Sequence, residues 1–200
     1  MTVVAPHPDD ETLAAGGLMF DLVQAGWDVS IVVVTDGAAS HPDVKDLAEV
    51  RADECRKALQ TLGVSRPPTF LGFPDGRAGA NLGKVASALQ RTLRDADVIV
   101  GPRVDDYHSD HCATANALDI AFDRSGPARL QYAIWGWDHL SADELSAATG
   151  TAFYPSADAL VAKRSALQQY KSQISDLYGQ VIVDDSVIHR HSSESEIFWW

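Results

Sequence analysis

The chain has 200 residues, 46% of them hydrophobic, and sets 16 basic against 28 acidic residues for a formal net charge of −12. That length and apolar content suit one sizeable core, and a surface this negative repels phosphate backbones, which argues against nucleic acid as a partner. No stretch approaches the roughly 20 uninterrupted apolar residues of a membrane span; with no basic leader after Met1, the expectation is one cytoplasmic domain over residues 1–200.

Taken in chain order, Thr2 to Ala5 is a short β-branched run that stops at a proline and an acidic cluster, as a buried strand does on meeting a loop. Residues Thr12 to Ala25 follow a helical pattern closed by Gly26, and Val29 to Thr35 is a nearly pure Val/Ile run. Strand, helix and strand of these lengths make a βαβ unit, so a parallel sheet is expected. The alternation continues with a helix from Asp43 to Leu62, a strand at Thr69 to Leu71, a helix from Leu82 to Arg94 and a strand at Val98 to Gly101. A helix after Asp110 runs to Phe122, a strand covers Leu130 to Trp135, an irregular stretch continues through Gly150, and a helix spans Ser156 to Ser172.

In open sheets of this kind, ligands gather outside the carboxyl ends of the strands. Both polar clusters of the sequence fall there. The first, Pro6-His7-Pro8-Asp9-Asp10-Glu11, can aim His7 and one aspartate at a single ion while the other aspartate is left free to handle a proton. Capping and the helix dipole account for one or two carboxylates at a helix start, but not for a histidine bracketed by prolines. The second cluster, Asp105-Asp106-Tyr107-His108-Ser109-Asp110-His111, opens a helix in which His111 shares a face with Ala115, Leu118 and Phe122, and Asp110 reads as the N-cap. Together the clusters supply two histidines and one aspartate around an open position, the pattern of a catalytic zinc; a structural zinc is closed by four ligands.

Cys55 and Cys112 make no disulfide framework and read as reduced small hydrophobes, Cys112 being turned by about 100° from His111 on its helix. Arg51 lies within the apolar stripe of Val44, Leu47, Ala48, Cys55, Ala58, Leu59 and Leu62, so its guanidinium demands a carboxylate or a ligand: an ion pair with Glu54 or Asp75, or a bound substrate. Asp75, in Pro-Asp-Gly, is also a turn former. Among the aromatics, Trp135, Trp137, Trp199 and Trp200 are core residues or sugar-stacking faces, and His41, His139, His189 and His191 read as solvent or loop residues.

At the two clusters the sequence resembles the PIG-L or LmbE-like zinc-dependent deacetylases, with their A-H-P-D-D-E and H-x-D-H segments; here an extra proline precedes His7. The similarity extends to Val50-Arg51-Ala52-Asp53-Glu54-Cys55, to Leu71-Gly72-Phe73-Pro74-Asp75-Gly76, and to Lys163-Arg164-Ser165-Ala166-Leu167 with Tyr170 and Gln173. The resemblance implies a Rossmann-like three-layer α/β sandwich, one zinc per chain held by His7, Asp10 and His111, and Asp9 as general base. It further implies His108 as the group that steadies the oxyanion and protonates the amine, Asp110 as the residue that sets its charge, and Arg51 and Asp75 as substrate contacts. The implied activity is removal of an N-acetyl group from an amino sugar or related conjugate. The competing readings are a non-catalytic metal-containing carbohydrate-binding module and a metal-dependent phosphoesterase, which would call for two metals and more carboxylate ligands.

Overall fold

The computed structural model describes residues 1–122, 126–146 and 149–200. Five strands run parallel: β1 (Thr2–Ala5), β2 (Ser30–Thr35), β3 (Thr69–Phe73), β4 (Val98–Pro102) and β5 (Ala128–Tyr132). Two short strands, β6 (Gly150–Phe153) and β7 (Glu196–Trp199), add on antiparallel, giving among the described residues a seven-stranded sheet in the order β3-β2-β1-β4-β5-β7-β6. The order reverses direction at β1 and β4, so the loops leaving these two strands diverge around a crevice, as they do where ligands bind in open α/β sheets.

The β-branched runs divide the core by their period of two. Val3, Ala5, Ile31, Val33 and Val100 face one apolar cluster, while Val4, Val32, Val34 and Ile99 face another. Helices α1 (Asp10–Gln24), α2 (Leu47–Thr61) and, later in the chain, α7 (Ala157–Leu167) and α9 (Asp185–His191) cover the first face; α3 (Leu82–Thr92) and α4 (Ser109–Ala121) cover the second. This is the expected three-layer α/β sandwich, and no described helix is long and apolar enough to cross a membrane.

The structure departs from the pattern reading in places with local causes. Helix α2 starts at Leu47 rather than Asp43, because Asp46 adopts φ 59°, outside the helical region. The strand expected from Leu130 to Trp135 ends at Tyr132, and Trp135 leads into a one-turn helix, α5 (Gly136–His139), followed by α6 (Ala142–Ser146) in the stretch read as irregular. The helix expected over Ser156 to Ser172 is broken into α7 and α8 (Lys171–Ile174). At the break the Tyr170 hydroxyl reaches Glu11 and Thr12 beneath α1, and these buried bonds outweigh the helical propensity of the segment. Strands β6 and β7, four residues each, carry no pattern long enough to find.

Candidate active site

The chain leaves β1 at Ala5, and a few residues later the backbone takes an unusual step: Asp9 has φ 138° and ψ −31°, a conformation that L residues rarely adopt. Its side chain makes no capping bond to α1. The backbone N–H of Asp9 instead donates to Glu11 (3.2 Å), whose carboxylate also accepts from the Thr12 and Tyr170 hydroxyls. The turn thereby sends the three acidic side chains in different directions.

Asp10 points inward, where Oδ2 accepts from the His7 backbone N–H at 2.9 Å and stands 3.2 Å from His7 Nδ1 and 3.1 Å from His111 Nε2. Asp9 meets Arg51, whose Nη2 is 3.0 Å from Asp9 Oδ2 and whose other bonds go to the carbonyls of Pro8 and Gly37. Gly37 has φ 64°, and a Cβ there would lie 2.5 Å from Arg51 Nη1, so the close approach requires glycine. Of the alternatives open to Arg51, the ion pair with Glu54 is not formed: Glu54 binds the Ser172 backbone and hydroxyl, and Arg51 pairs with Asp9, beside Asp75 on the cavity wall.

The second loop leaves β4. His111 is fully buried; its Nδ1 is 2.5 Å from Asp106, whose other oxygen accepts from the backbone N–H groups of Ile134 and Gly136. Nε2 faces Asp10 without an aligned hydrogen bond, and once the ring is neutral with its proton held on Nδ1 by Asp106, that nitrogen offers a lone pair to a metal. The N-cap of α4 is His108 rather than Asp110: its Nδ1 accepts from the Asp110 backbone N–H at 3.3 Å. The Asp110 carboxylate is bonded to His7 Nε2 (3.3 Å) and to the backbone N–H groups of Gly76 (2.7 Å) and Ala78 (3.1 Å), so it acts on the His108 ring only through space. Asp75 bonds to His7 Nε2 (3.1 Å) and to the Ala39 backbone.

The electrostatics follow from this crowding. Burial would lower the pKa of His7, but bonds to Asp10, Asp110 and Asp75 outweigh it and hold the imidazole well above its ordinary value. His111 is likewise opposed by burial and raised by Asp10 and Asp106 to about 9. Burial works against the Asp10 carboxylate too, yet His111 and His7 pull it well below the usual range. Such a cluster calls for positive charge at its centre. Asp9 behaves oppositely: burial raises its pKa to about 7, with the Asp10 charge adding and Arg51 opposing. His108 is held below its ordinary value by burial and by the neighbouring His7 and His111.

Two groups of donor atoms lie within 4.8 Å of one another, His7 with His108 and His111, and His7 with Asp75 and Asp110. Asp10 Oδ2 stands between the two buried imidazoles, and tetrahedral ligation at about 2.0–2.1 Å puts neighbouring ligand atoms roughly 3.3 Å apart. The spacing, the nitrogen-and-carboxylate chemistry and the orphaned His111 Nε2 fit a divalent metal ion. Beside the cluster opens a cavity of about 300 Å³, with Asp9, Arg51, Asp75 and Gln173 on its polar side and Leu13, Trp135, Ile182 and Val183 on its apolar side.

A sequence profile of the PIG-L family, described as GlcNAc-PI de-N-acetylase, matches residues 2–122. The chain belongs to the PIG-L family. It is 29% identical over 155 residues to the 1D-myo-inositol 2-acetamido-2-deoxy-alpha-D-glucopyranoside deacetylase of Mycobacterium sp. (strain KMS), covering 61% of this chain and 49% of that one. The chain thus spans about half the length of this curated relative. Among solved structures, the conserved protein TT1542 from Thermus thermophilus matches 100% of this chain and 93% of its own at 23% identity with a TM-score of 0.75. The antimicrobial A40926 pseudoaglycone deacetylase matches 99% and 95% at 18% identity with a TM-score of 0.80. At such identities the likeness is one of fold, and it places this PIG-L chain in a mostly parallel α/β sandwich.

Every candidate site residue read from the sequence, His7, Asp9, Asp10, Arg51, Asp75, His108, Asp110 and His111, comes together in this crevice. Sequence reasoning misses Asp106, although it stands in the second cluster; an acidic residue five before a buried histidine is the available signal. Of the four candidate stacking tryptophans, Trp135 lines the cavity, whereas Trp137 packs on the buried Trp199, and Trp200 is exposed elsewhere. Two histidines read as solvent or loop residues are buried: His41 donates from Nε2 to the Gln180 carbonyl, and His191 ends α9 inside the fold. His139 stacks on Tyr107, and His189 is exposed. Cys55 is buried and Cys112 half-buried, both unpaired.

Proposed function

We propose that this chain is a zinc-dependent hydrolase that removes an N-acetyl group from an amino sugar or related small conjugate, with residues 1–200 working as one cytoplasmic PIG-L domain. The observation that carries the reading is the division of the two adjacent aspartates, Asp10 at 3.1–3.2 Å from two buried imidazoles and Asp9 beside them on the cavity wall, turned away to Arg51. A binding module has no use for a buried carboxylate placed beside the ligand atoms but outside them, and a two-metal phosphoesterase would not aim its second carboxylate at an arginine.

In this reading His7, Asp10 and His111 hold one zinc. Asp10 is preferred to His108 because its carboxylate is buried and faces both imidazoles, whereas His108 Nδ1 is taken by the backbone of Asp110. When bound there, zinc would supply Lewis acidity to polarise the acetamide carbonyl and lower the pKa of a water to about 7. Asp9 takes a proton from the attacking water and returns it to the departing nitrogen, a role its place on the cavity wall beside the ligand atoms allows. Since His108 Nδ1 accepts a bond, its proton sits on Nε2, and this neutral N–H steadies the oxyanion. Arg51 holds Asp9 in place, and with Asp75 it gives the cavity its polar wall. The relatives' named substrates, an acetamido-glucopyranosyl inositol and the A40926 pseudoaglycone, support an N-acetylated sugar conjugate as the class.

The test is amine release from a panel of N-acetylglucosamine derivatives by metal-loaded, chelated and Asp9→Ala protein, with metal stoichiometry measured alongside. Release that requires both metal and Asp9, at one zinc per chain, is expected. Release that survives the loss of Asp9, or two metals per chain, would overturn the reading.

A further inference from the structure

Gln173 lines the active cavity and is 1% exposed, yet its side-chain oxygen Oε1 has no hydrogen-bond partner. An unpaired acceptor this deep is costly unless something supplies a donor. We propose that Gln173 is a specificity-determining residue, and that Oε1 accepts a hydrogen bond from a hydroxyl group of the sugar bound in the cavity. The proposal rests on the sugar N-deacetylase reading of this site and names a contact which that reading does not contain.

The orientation of the amide is fixed by its neighbours. Nε2 donates to Ser172 Oγ at 3.0 Å and reaches Ser40 Oγ at 3.4 Å. Ser172 gives its own hydroxyl proton to Glu54 Oε2 at 2.6 Å, while its backbone N–H holds Glu54 Oε1 at 2.9 Å. Ser40 has two acceptors for its single proton, the Gly37 carbonyl at 3.3 Å and His41 Nδ1 at 3.2 Å, whose ring proton is on Nε2. Both serine oxygens therefore accept, and flipping the amide would set its oxygen against two acceptors. The relay from Glu54 through Ser172 thus leaves Oε1 as the free end. The residue itself cannot swing away, because its backbone carbonyl accepts from Ile182 at 2.9 Å and Val183 at 3.0 Å, and both of those residues also line the cavity.

What remains is a neutral, deeply set acceptor on a residue that lines the cavity alongside the charged groups Asp9, Asp10, Arg51 and Asp75. A cationic donor is drawn to the Asp75 and Asp110 carboxylates. A neutral amide oxygen suits a neutral donor, and an amino sugar presents hydroxyls in several ring positions. A site built around one such hydroxyl discriminates against an analogue that lacks it, since the acceptor is then left bare; the expected effect is roughly 10- to 100-fold in affinity.

The experiment measures Kd for glucosamine, which carries no acetyl group to be turned over, and for its 3-, 4- and 6-deoxy analogues, on the metal-loaded wild type and on Gln173→Leu. The expected result is one deoxy position that binds the wild type roughly 10- to 100-fold more weakly, with that penalty absent in Gln173→Leu. A penalty that persists in the variant, no penalised position in the wild type, or no binding of glucosamine at all would each overturn the proposal; the second is what an ordered water on Oε1 would give. Should Gln173→Leu fail to fold, Gln173→Met takes its place. Amine release from the acetylated panel judges the deacetylase reading separately: release without a deoxy penalty sinks this inference alone, and a penalty abolished by the variant without release sinks the deacetylase alone.

Discussion

Helix α1 carries buried charge at two places, and the two are built on opposite principles. At its N-terminus His7, Asp9 and Asp10 have shifted pKa values and crowd against Arg51, with a strained φ at Asp9 and orphaned atoms at Arg51 Nε and His111 Nε2. At its middle, Ala15 departs from helical geometry (φ −136°, ψ 19°), which frees backbone groups that a buried ion pair then takes up. Glu196 accepts from the N–H of Gly17 (2.7 Å) and Leu18 (2.8 Å), and Lys163 Nζ donates to the Leu13 carbonyl (2.8 Å) and to Glu196 (2.6 Å). Burial alone does not separate a functional cluster from a structural one, since all these groups are shielded from water. What separates them is satisfaction: the mid-helix pair is saturated by the fold, and the terminal cluster awaits a ligand.

Substitutions at the two places should therefore fail in different ways. Asp9→Asn is expected to lower kcat/KM by about 10²- to 10⁴-fold, the range of a general acid–base group, while unfolding free energy changes by less than about 1 kcal/mol. Arg51 keeps its bonds to Gly37 and Pro8, and the lost carboxyl is already near half-protonation at neutral pH. Steady-state rates and urea melts on one preparation check both parts; a large stability loss would erase the contrast. Glu196→Gln should do the reverse, costing about 3–5 kcal/mol because Lys163 is left as an uncompensated buried charge, with kcat per folded molecule unchanged. A Glu196→Gln protein as stable as the wild type would show that the mid-helix pair is not what holds the kink.

The same contrast explains what the sequence discloses. The parallel strands were legible because runs such as Thr2–Ala5 and Ile31–Val34 are continuous and β-branched, a property of neighbours in the chain, and they bury both faces of the sheet. Six of the eight candidate site residues were legible because His7 to Asp10 and His108 to His111 are compact clusters at strand ends, and Arg51 and Asp75 because the family resemblance extends to their segments. The support behind them was not. Asp106 is recognised by where its oxygens go, to His111 and across to the backbone of Ile134 and Gly136, and Gln173 by a relay that starts at Glu54, 119 positions earlier in the chain (173 − 54). The break at Tyr170 and the burial of His41 and His191 also depend on contacts made only in the folded chain. Strands β6 and β7 are four residues each and owe their place to the packing of Trp199 and Phe198, not to a pattern.

Asp106 sharpens the comparison, because it is a saturated group that serves the unsaturated cluster. Asp106→Asn keeps the shape but weakens the hold on His111 Nδ1–H, so under the proposed ligand set the affinity for a divalent metal is expected to fall about 10- to 100-fold, the usual effect of losing a carboxylate behind a ligating histidine. Competition with a fluorescent chelator measures it; unchanged affinity would mean that the helix alone orients the imidazole. Gly136 is hemmed in by the same carboxylate, since a Cβ there would lie 3.0 Å from Asp106 Oδ1.

The smallest expected effect comes from the one orphan near the mid-helix pair. His191 lines a second cavity, of about 220 Å³, with Lys163 and Glu196, and its Nε2 has no partner. Burial, and then the Lys163 charge, lower its pKa to about 3, so the folded protein keeps this imidazole neutral. The unfolded chain protonates it near pH 6.5. Between those values the unfolded state binds one more proton, so this group's contribution to stability is whole above about pH 6.5 and declines as pH falls toward 3, by about 2 kcal/mol between pH 6.5 and 5. Asp9 acts in the opposite sense in metal-free protein: with its pKa raised to about 7, the folded state binds the extra proton over the same range and gains stability. Wild-type melts alone would blend the two. The difference between wild type and His191→Gln isolates the first, because Asp9 is common to both. That difference should move by about 2 kcal/mol in favour of the variant on acidification from about pH 6.5 to 5. A difference that stays flat would mean that His191 reaches water or a counter-charge, and that the mid-helix region is less sealed than the active site it underlies.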